Sequence, residues 1–278
     1  MKLRVVELLL VTTLPALFLA AGGVPPLGVS LATLVGGTLA AGAANAFNMV
    51  IERDSDRLMG RTANRPLAHR DISESRALTF AFLIALMSLV IMFVFTNLLA
   101  TGLTISAITF YVFVYTIGLK RRTSQNIVWG GIAGCFPVII GWSAITGSLS
   151  APAIWFFLLI FFWTPPHFWA LAIKYKNDYA AAGIPMLPVV ATQKNVSIQM
   201  WFHTIAMVAT SYVVLISADF PSVFYILNTV LNLFFIGLMT RMRGEKDQID
   251  RAAIKIFHGS ITYLTMYSVL LIIGSFYV

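Results

Sequence analysis

Nine long apolar stretches follow one another along the 278-residue chain, and they constrain the fold more than any other feature. A helix needs about 20 apolar residues to cross a bilayer. Apolar residues make up 59% of the chain and charged residues only 11%, against about 25% charged residues in soluble domains. We predict spanning helices at 5–21, 28–48, 77–95, 98–118, 127–146, 153–173, 197–216, 221–240 and 254–275. The expected fold is therefore all-α, a polytopic membrane bundle of about nine helices, with residues 1–278 forming one domain.

The basic residues indicate how this bundle is oriented. Every Lys and Arg lies at the N-terminus or in the second, fourth, sixth and eighth connections, except Lys255, which borders the eighth. Because cytoplasmic loops are enriched in Lys and Arg, we predict that these connections and the N-terminus are cytoplasmic and that the C-terminus is outside. The same face carries the longer loops, so chemistry is expected there. The start of the chain lacks an Arg- and Ser-rich presequence, which favours the inner (cytoplasmic) membrane of a prokaryotic cell.

A ladder of oxygen ligands follows the second apolar stretch. Asn48, Glu52 and Asp56 are spaced four residues apart, so on a continuing helix they line one face. Arginines repeat at the same interval on a neighbouring stripe, at Arg53, Arg57, Arg61 and Arg65. Mg²⁺ is commonly shared between carboxylates and substrate phosphates, and arginines bind phosphates through two parallel hydrogen bonds. The pattern therefore predicts a site for a metal ion and a diphosphate.

A solvated helix end is the alternative interpretation of this segment. Asp54 and Arg57, for example, are opposite charges three residues apart, as on an ordinary exposed helix. However, the ladder runs outward from membrane depth, where unpaired carboxylates are costly and usually functional. We therefore favour the metal site.

Two other connections on this face add charged candidates. Lys120, Arg121 and Arg122 follow the fourth span without an acidic neighbour, so they form either a topology anchor or a second clamp for anions. Asp178 lies close to Lys174 in the sixth connection, where it is either a further metal ligand or an ion-pair partner.

Four strings carry a resemblance to a known family. They read RTANRPL at 61–67, LKRRTSQNIV at 119–128, WTPPHFW at 163–169 and AGIPMLP at 182–188. With the ladder after the second of nine helices, they make the chain similar to the UbiA superfamily of intramembrane prenyltransferases, and within it to the protoheme IX farnesyltransferases, or heme O synthases. The resemblance extends from about residue 2 through the ninth helix. It implies a UbiA-type bundle and Mg²⁺-dependent transfer of the farnesyl group of farnesyl diphosphate to a vinyl group of heme b, with water addition, giving heme O and diphosphate.

The resemblance also implies roles for individual residues. The implied metal ligands are Asn48, Glu52, Asp56 and Asp178. The implied diphosphate ligands are Arg57, Arg61, Arg65, Lys120, Arg121 and Lys174. The implied catalytic set is Asn48, Glu52, Asp56 and Lys120. Glu52 occupies a position where many superfamily members have Asp, and the second aspartate pair of other members is reduced to Asp178. We therefore expect one firmly held Mg²⁺.

His167 is the candidate for contact with the heme. It follows two prolines near the end of the sixth span and is flanked by Phe168 and Trp169, a setting compatible with porphyrin packing and with imidazole binding to iron. A helix-end hydrogen bond is the alternative role. Cys135 is the single cysteine, which excludes a disulfide framework and cysteine-based metal clusters.

The expected partners follow from the same resemblance. They are heme b and farnesyl diphosphate as substrates, the lipid bilayer, and heme A synthase or terminal oxidase assembly factors for hand-over of the product, with no nucleic acid. One alternative is a UbiA-type enzyme with another aromatic or tetrapyrrole acceptor. A membrane transporter is the alternative from a different class; it predicts acids at mid-membrane and an inverted repeat, whereas the acids here cluster at one face.

Overall fold

The computed structural model describes residues 3–58, 60, 62, 64–69, 71–242 and 246–278, and every regular element among them is helical. The long elements are α1 (Leu3–Ala21), α2 (Leu27–Ile51), α4 (Glu74–Phe95), α5 (Leu98–Thr109), α7 (Ile132–Thr146), α8 (Ala151–Lys174), α11 (Gln193–Ser217), α12 (Ser222–Met239) and α13 (Lys246–Gly274). The short elements are α3 (Arg53–Asp56), α6 (Asn126–Gly130), α9 (Lys176–Ala181) and α10 (Leu187–Val190). A π-helical segment, Phe110–Leu119, directly extends α5.

The described helices confirm the predicted class of fold. Eight of them are long and apolar enough to cross a membrane, counting α5 with its π-helical extension and α6 with α7 as one span each. Helix α1 adds an apolar stretch, Val11–Ala21, so about nine crossings are consistent with the structure. The last helix begins at Lys246, eight residues before the predicted span starts at residue 254, because its first two turns are polar and extend beyond the apolar stretch.

Short polar caps define where the spans turn. Asn97 separates α4 from α5: its Oδ1 accepts a hydrogen bond from Ala100 N at 2.9 Å, and its Nδ2 donates to Ser143 O at 2.6 Å. Gly147 ends α7 in the left-handed conformation, with φ of 66°. These caps satisfy backbone groups that would otherwise be left without partners at the helix ends.

Small residues allow close packing between the spans. Gly36 of α2 lies against Met92 of α4, where an added Cβ would be only 2.7 Å from the Met92 sulfur. Ser88 Oγ donates to Gly36 O at 2.6 Å, so the same contact is fixed by an interhelical hydrogen bond. Lipid tails are as apolar as the helices, so the hydrophobic effect does not drive helices together inside a membrane. Close contacts and interhelical hydrogen bonds of this kind stabilise the packing instead.

The order of the spans places one set of loops at a single end of the bundle. Neighbouring spans are joined by short connections such as residues 96–97 and 147–150, so successive helices run in opposite directions. The C-terminal ends of α2, α5 with its extension, and α8 therefore lie at the same end. The predicted site residues of the ladder, the basic cluster and the sixth connection all belong to this end.

Candidate prenyl diphosphate site

The oxygen ladder forms one buried face at the end of α2. Helix α2 ends at Ile51, but Glu52 N donates to Asn48 O at 2.9 Å and Asp56 N donates to Glu52 O at 2.8 Å. These bonds preserve the helical spacing through the short helix α3, as the sequence predicted. Asn48, Glu52 and Asp56 are only 2%, 4% and 4% exposed. An ordinary solvated helix end does not bury its acids in this way.

Each buried carboxylate is paired with a cation from elsewhere in the chain. Glu52 Oε2 accepts a hydrogen bond from Lys120 Nζ at 2.5 Å, and Asp56 Oδ2 accepts one from Arg65 at 2.5 Å. An unpaired buried charge destabilises a protein by roughly several kcal/mol. The two ion pairs therefore explain why the fold tolerates two buried carboxylates here. The four groups carry no net charge together.

The segment after Asp56 folds back over the ladder. Thr62 Oγ1 donates to Asp56 O at 2.9 Å, and Arg57 Nε donates to Ala68 O at 2.9 Å. Arg53 forms an ion pair with Glu74, which links α3 to the start of α4. Together these contacts hold the residues that follow Asp56 against α3.

The predicted arginine stripe is wrong beyond Asp56. The helix ends there, so Arg65 reaches the ladder from the returning segment and not from a neighbouring helical stripe. A sequence with Gly60 and Pro66 in this stretch does not continue a helix. Arg61, which the sequence also assigned to the diphosphate, lies outside the described residues.

The π-helical end of α5 brings its polar side chains to the ladder. A π-helix closes its hydrogen bonds over five residues, and Lys120 N correspondingly donates to Tyr115 O at 2.9 Å. Thr116 Oγ1 donates to Tyr111 O, also five residues back, at 2.8 Å. In an α-helix, side chains five residues apart would point about 140° away from each other. The π-helix instead lets residues spaced by five share one face, and such segments are frequent at functional sites.

Thr116 also fixes the side chain of Asn48. Asn48 Nδ2 donates to Thr116 Oγ1 at 3.1 Å, and both side chains are buried. The amide nitrogen of Asn48 is thereby hydrogen-bonded to Thr116. The amide oxygen, which is the atom that would bind a cation, is not used in this hydrogen bond. Thr116 was not among the residues predicted from the sequence, although a hydroxyl in an apolar run four residues before Lys120 was an available signal.

The remaining charged candidates are more exposed than the paired carboxylates. Arg121 is exposed, and so is Lys174, whose Nζ lies 5.4 Å from the ring centroid of Tyr175. Asp178 is half-buried in α9. Within the described ranges, no three His, Cys, Asp or Glu side chains converge as a metal centre. Any metal at the ladder would therefore combine two carboxylates with the Asn48 amide, substrate oxygens or water.

His167 occupies a separate aromatic cage in α8. Its ring stacks on Trp163, with centroids 4.3 Å apart, and on Phe257 of α13, with centroids 4.7 Å apart. His167 Nδ1 lies 2.7 Å from Ser260 Oγ, and the side chain is 9% exposed. Ser260 was not predicted from the sequence, because it lies 93 residues away from its partner.

Solved structures establish the class of this fold. The chain superposes on a digeranylgeranylglyceryl phosphate synthase with a TM-score of 0.78 at 16% identity, covering 99% of this chain and 100% of that one. It superposes on a UbiA homologue from Archaeoglobus fulgidus, solved with DMAPP and Mg²⁺, with a TM-score of 0.72 at 18% identity, covering 97% of each chain. The chain thus shares the helical fold of these two proteins.

Sequence relatives define the family. The model of the UbiA prenyltransferase family matches residues 9–261. A protoheme IX farnesyltransferase of Frankia casuarinae is 49% identical over 96% of this chain and 92% of its own length. Another, from Pseudarthrobacter chlorophenolicus, is 46% identical over 99% of this chain and 87% of its own length. The chain belongs to the UbiA prenyltransferase family and is a multi-pass membrane enzyme.

Proposed function

We propose that the chain is a heme O synthase that transfers the farnesyl group of farnesyl diphosphate to a vinyl group of heme b. The observation that supports a prenyl diphosphate as the donor substrate is the buried ladder of Asn48, Glu52 and Asp56 at one end of the bundle. Heme as the acceptor substrate is supported by relatives named protoheme IX farnesyltransferase at 45–49% identity over nearly the whole chain.

The ladder fits a magnesium ion by the chemistry of its donors. Asn48, Glu52 and Asp56 offer amide and carboxylate oxygens, which are the ligands that Mg²⁺ prefers, and Asp178 is a further candidate. Each carboxylate uses one oxygen in its ion pair, and a carboxylate has about four acceptor positions, so pairing and metal binding are compatible. When bound, Mg²⁺ supplies positive charge that stabilises the departing diphosphate.

The cations next to the ladder are suited to hold the diphosphate. Lys120 and Arg65 already lie at the two carboxylates, so they can contact phosphate oxygens that approach the same face. We also assign Arg57, Arg61, Arg121 and Lys174 to the diphosphate, as outer ligands. Because the two ion pairs together carry no net charge, a bound Mg²⁺ would supply the positive charge that balances the diphosphate.

The reaction needs no redox step. The allylic C–O bond breaks and its electron pair leaves with the diphosphate, where Lys120 and Arg65 stabilise the developing charge. The vinyl π-electrons of the heme then form a bond to the allylic carbon, which leaves a cation on the carbon next to the porphyrin ring. Water adds to this cation and loses a proton, which gives the hydroxyethylfarnesyl group. The apolar walls of the spans keep water from the allylic cation before the vinyl group attacks.

The placement of the enzyme follows from its basic loops. We propose that the single domain of residues 1–278 lies in the inner membrane, with the N-terminus and the site end in the cytoplasm and the C-terminus outside. The ladder, Lys120 and Arg65 then face the compartment from which a water-soluble diphosphate group and Mg²⁺ arrive.

A reconstitution experiment tests this function. Purified protein is incubated with heme b, farnesyl diphosphate and Mg²⁺, and the extracted pigment is weighed by mass spectrometry. We expect a mass increase equal to one farnesyl group plus one hydroxyl group, and dependence on the metal. Prenylation of 4-hydroxybenzoate in place of heme would contradict the proposed acceptor while leaving the prenyltransferase class intact.

A further inference from the structure

Aromatic rings surround the His167 imidazole. Trp163 and Phe257 stack on it with interplanar angles of 19° and 27°, and the Phe168 ring is perpendicular to it at a centroid distance of 5.1 Å. The stacked rings restrict access to the planar surface of the imidazole, so a ligand binds through a nitrogen at its edge. One nitrogen of that edge, Nδ1, is taken by Ser260 Oγ at 2.7 Å.

The hydrogen bonds around Ser260 determine which nitrogen of His167 carries the proton. Ser260 Oγ donates to Phe257 O at 2.7 Å, which uses the single hydroxyl proton. With its proton given to Phe257 O, Ser260 Oγ accepts from His167, and this arrangement places a proton on Nδ1. In a neutral imidazole, Nε2 consequently carries the lone pair.

The backbone of Ser260 is held in place by the same cage. Trp163 Nε1 donates to Ser260 O at 2.9 Å, and Ser260 is fully buried. Trp163 thus contacts both His167, by stacking, and the residue that binds His167. These contacts hold the plane and the direction of the imidazole.

We infer that Ser260 is a positioning residue that holds His167 as its Nδ1–H tautomer and presents the Nε2 lone pair to the iron of the heme acceptor. The inference rests on the proposed function, because heme as acceptor is part of that proposal. Histidines that bind metals characteristically donate their other ring N–H to a fixed acceptor, which sets the orientation of the ring and raises its basicity. The buried Ser260 hydroxyl is such an acceptor.

Heme titration of the detergent-purified full chain tests this inference. Ferric protoporphyrin IX is added, the Kd is read from its absorbance, and resonance Raman spectroscopy of the reduced complex reports the iron–imidazole stretch. We expect H167A to lose this stretch. We expect S260A to keep it at a shifted frequency and to bind heme about 10-fold more weakly, the low end of the effect of removing an outer-shell partner.

Two further variants separate positioning from general packing. Ser268 lies on the same helix, is also buried, and donates to Val11 O at 2.6 Å, so S268A removes a comparable hydroxyl away from His167. We expect S268A to bind heme as the unaltered protein does. In the H167A background, adding S260A should change neither the spectrum nor the Kd, because Ser260 acts through His167.

The outcomes distinguish this inference from the proposed function. An iron–imidazole stretch that persists in H167A, or S260A with an unchanged stretch and Kd, would overturn the inference while heme remains the acceptor. If the unaltered protein takes up no heme at all, the proposed acceptor and the role of Ser260 are both overturned.

Discussion

Lys120 Nζ lies 2.5 Å from Glu52 Oε2, which joins the π-helical end of α5 to the end of α2 across 68 residues of sequence. Glu52 is buried, and the Lys120 side chain is only 17% exposed. A pair this well shielded from water contributes to stability and to the charge of the site at the same time, and these two contributions can be measured separately.

The first prediction concerns this pair. K120Q leaves the Glu52 carboxylate buried without its partner, so we expect a loss of about 3–5 kcal/mol in the free energy of unfolding. We also expect heme O formation to fall at least about 100-fold, as when a donor that stabilises developing charge is removed. Thermal unfolding in detergent and the rate of heme O formation check the two effects.

The double variant E52Q/K120Q is the control for that prediction. It removes both charges, so most of the lost stability should return, whereas activity should stay low because both proposed roles are absent. Wild-type activity in K120Q would contradict the role of Lys120 in binding diphosphate.

The second prediction compares two aspartates on the same short helix. Asp56 is buried and pairs with Arg65, whereas Asp54 has a side chain 74% exposed and pairs with Arg57. We expect D56A to abolish heme O formation while the protein stays folded in the membrane, and D54A to retain most of its activity. Activity in D56A as high as in the unaltered protein would contradict the proposed metal site.

The third prediction concerns the orientation of Asn48. T116V keeps the shape of the side chain but removes the hydroxyl that accepts from Asn48 Nδ2. We expect the Mg²⁺ concentration for half-maximal activity to rise about 10-fold, the usual scale for an outer-shell partner of a ligand, with little change in substrate KM. T116S should behave as the unaltered protein.

Thr104 offers a matched control for Thr116. It is also buried in α5, and its hydroxyl donates only to Ala100 O of the same helix, at 2.8 Å. T104V should leave the Mg²⁺ dependence unchanged. An equal shift in T104V and T116V would mean that the effect comes from the helix and not from Asn48.

The fourth prediction tests the packing that supports the π-helical segment. A Cβ added at Gly130 of α6 would overlap the ring of Tyr115, whereas one added at Gly134 of α7 would meet nothing within 4 Å. We therefore expect G130A to lower the melting temperature and the activity together, and G134A to change neither. A fully stable and active G130A would show that Tyr115 has room to move.

The sequence predicted the parts of this molecule that depend on local spacing. Span positions and the common face of Asn48, Glu52 and Asp56 follow from periodicity, and the structure has both. The partner of Asp56 did not follow, because Arg65 reaches it only after the chain turns back on itself. The stripe predicted for the arginines assumed that the helix continued.

Contacts between distant segments were beyond sequence reasoning for a physical reason. The Lys120–Glu52 pair depends on a π-helix, which turns Lys120 away from the direction that an α-helix would give it. The Ser260–His167 contact depends on how α8 packs against α13. Serine is common in membrane helices, so nothing in its local pattern marks Ser260 for a role.

The central claim is that the ladder binds an isoprenyl diphosphate together with Mg²⁺. Isothermal titration of the purified protein with a non-hydrolysable farnesyl diphosphate analogue, with and without Mg²⁺, tests it most directly, with D56A as the comparison. We predict binding that requires Mg²⁺ in the unaltered protein and is lost in D56A. Binding of the same strength without the metal, or in D56A, would contradict the claim.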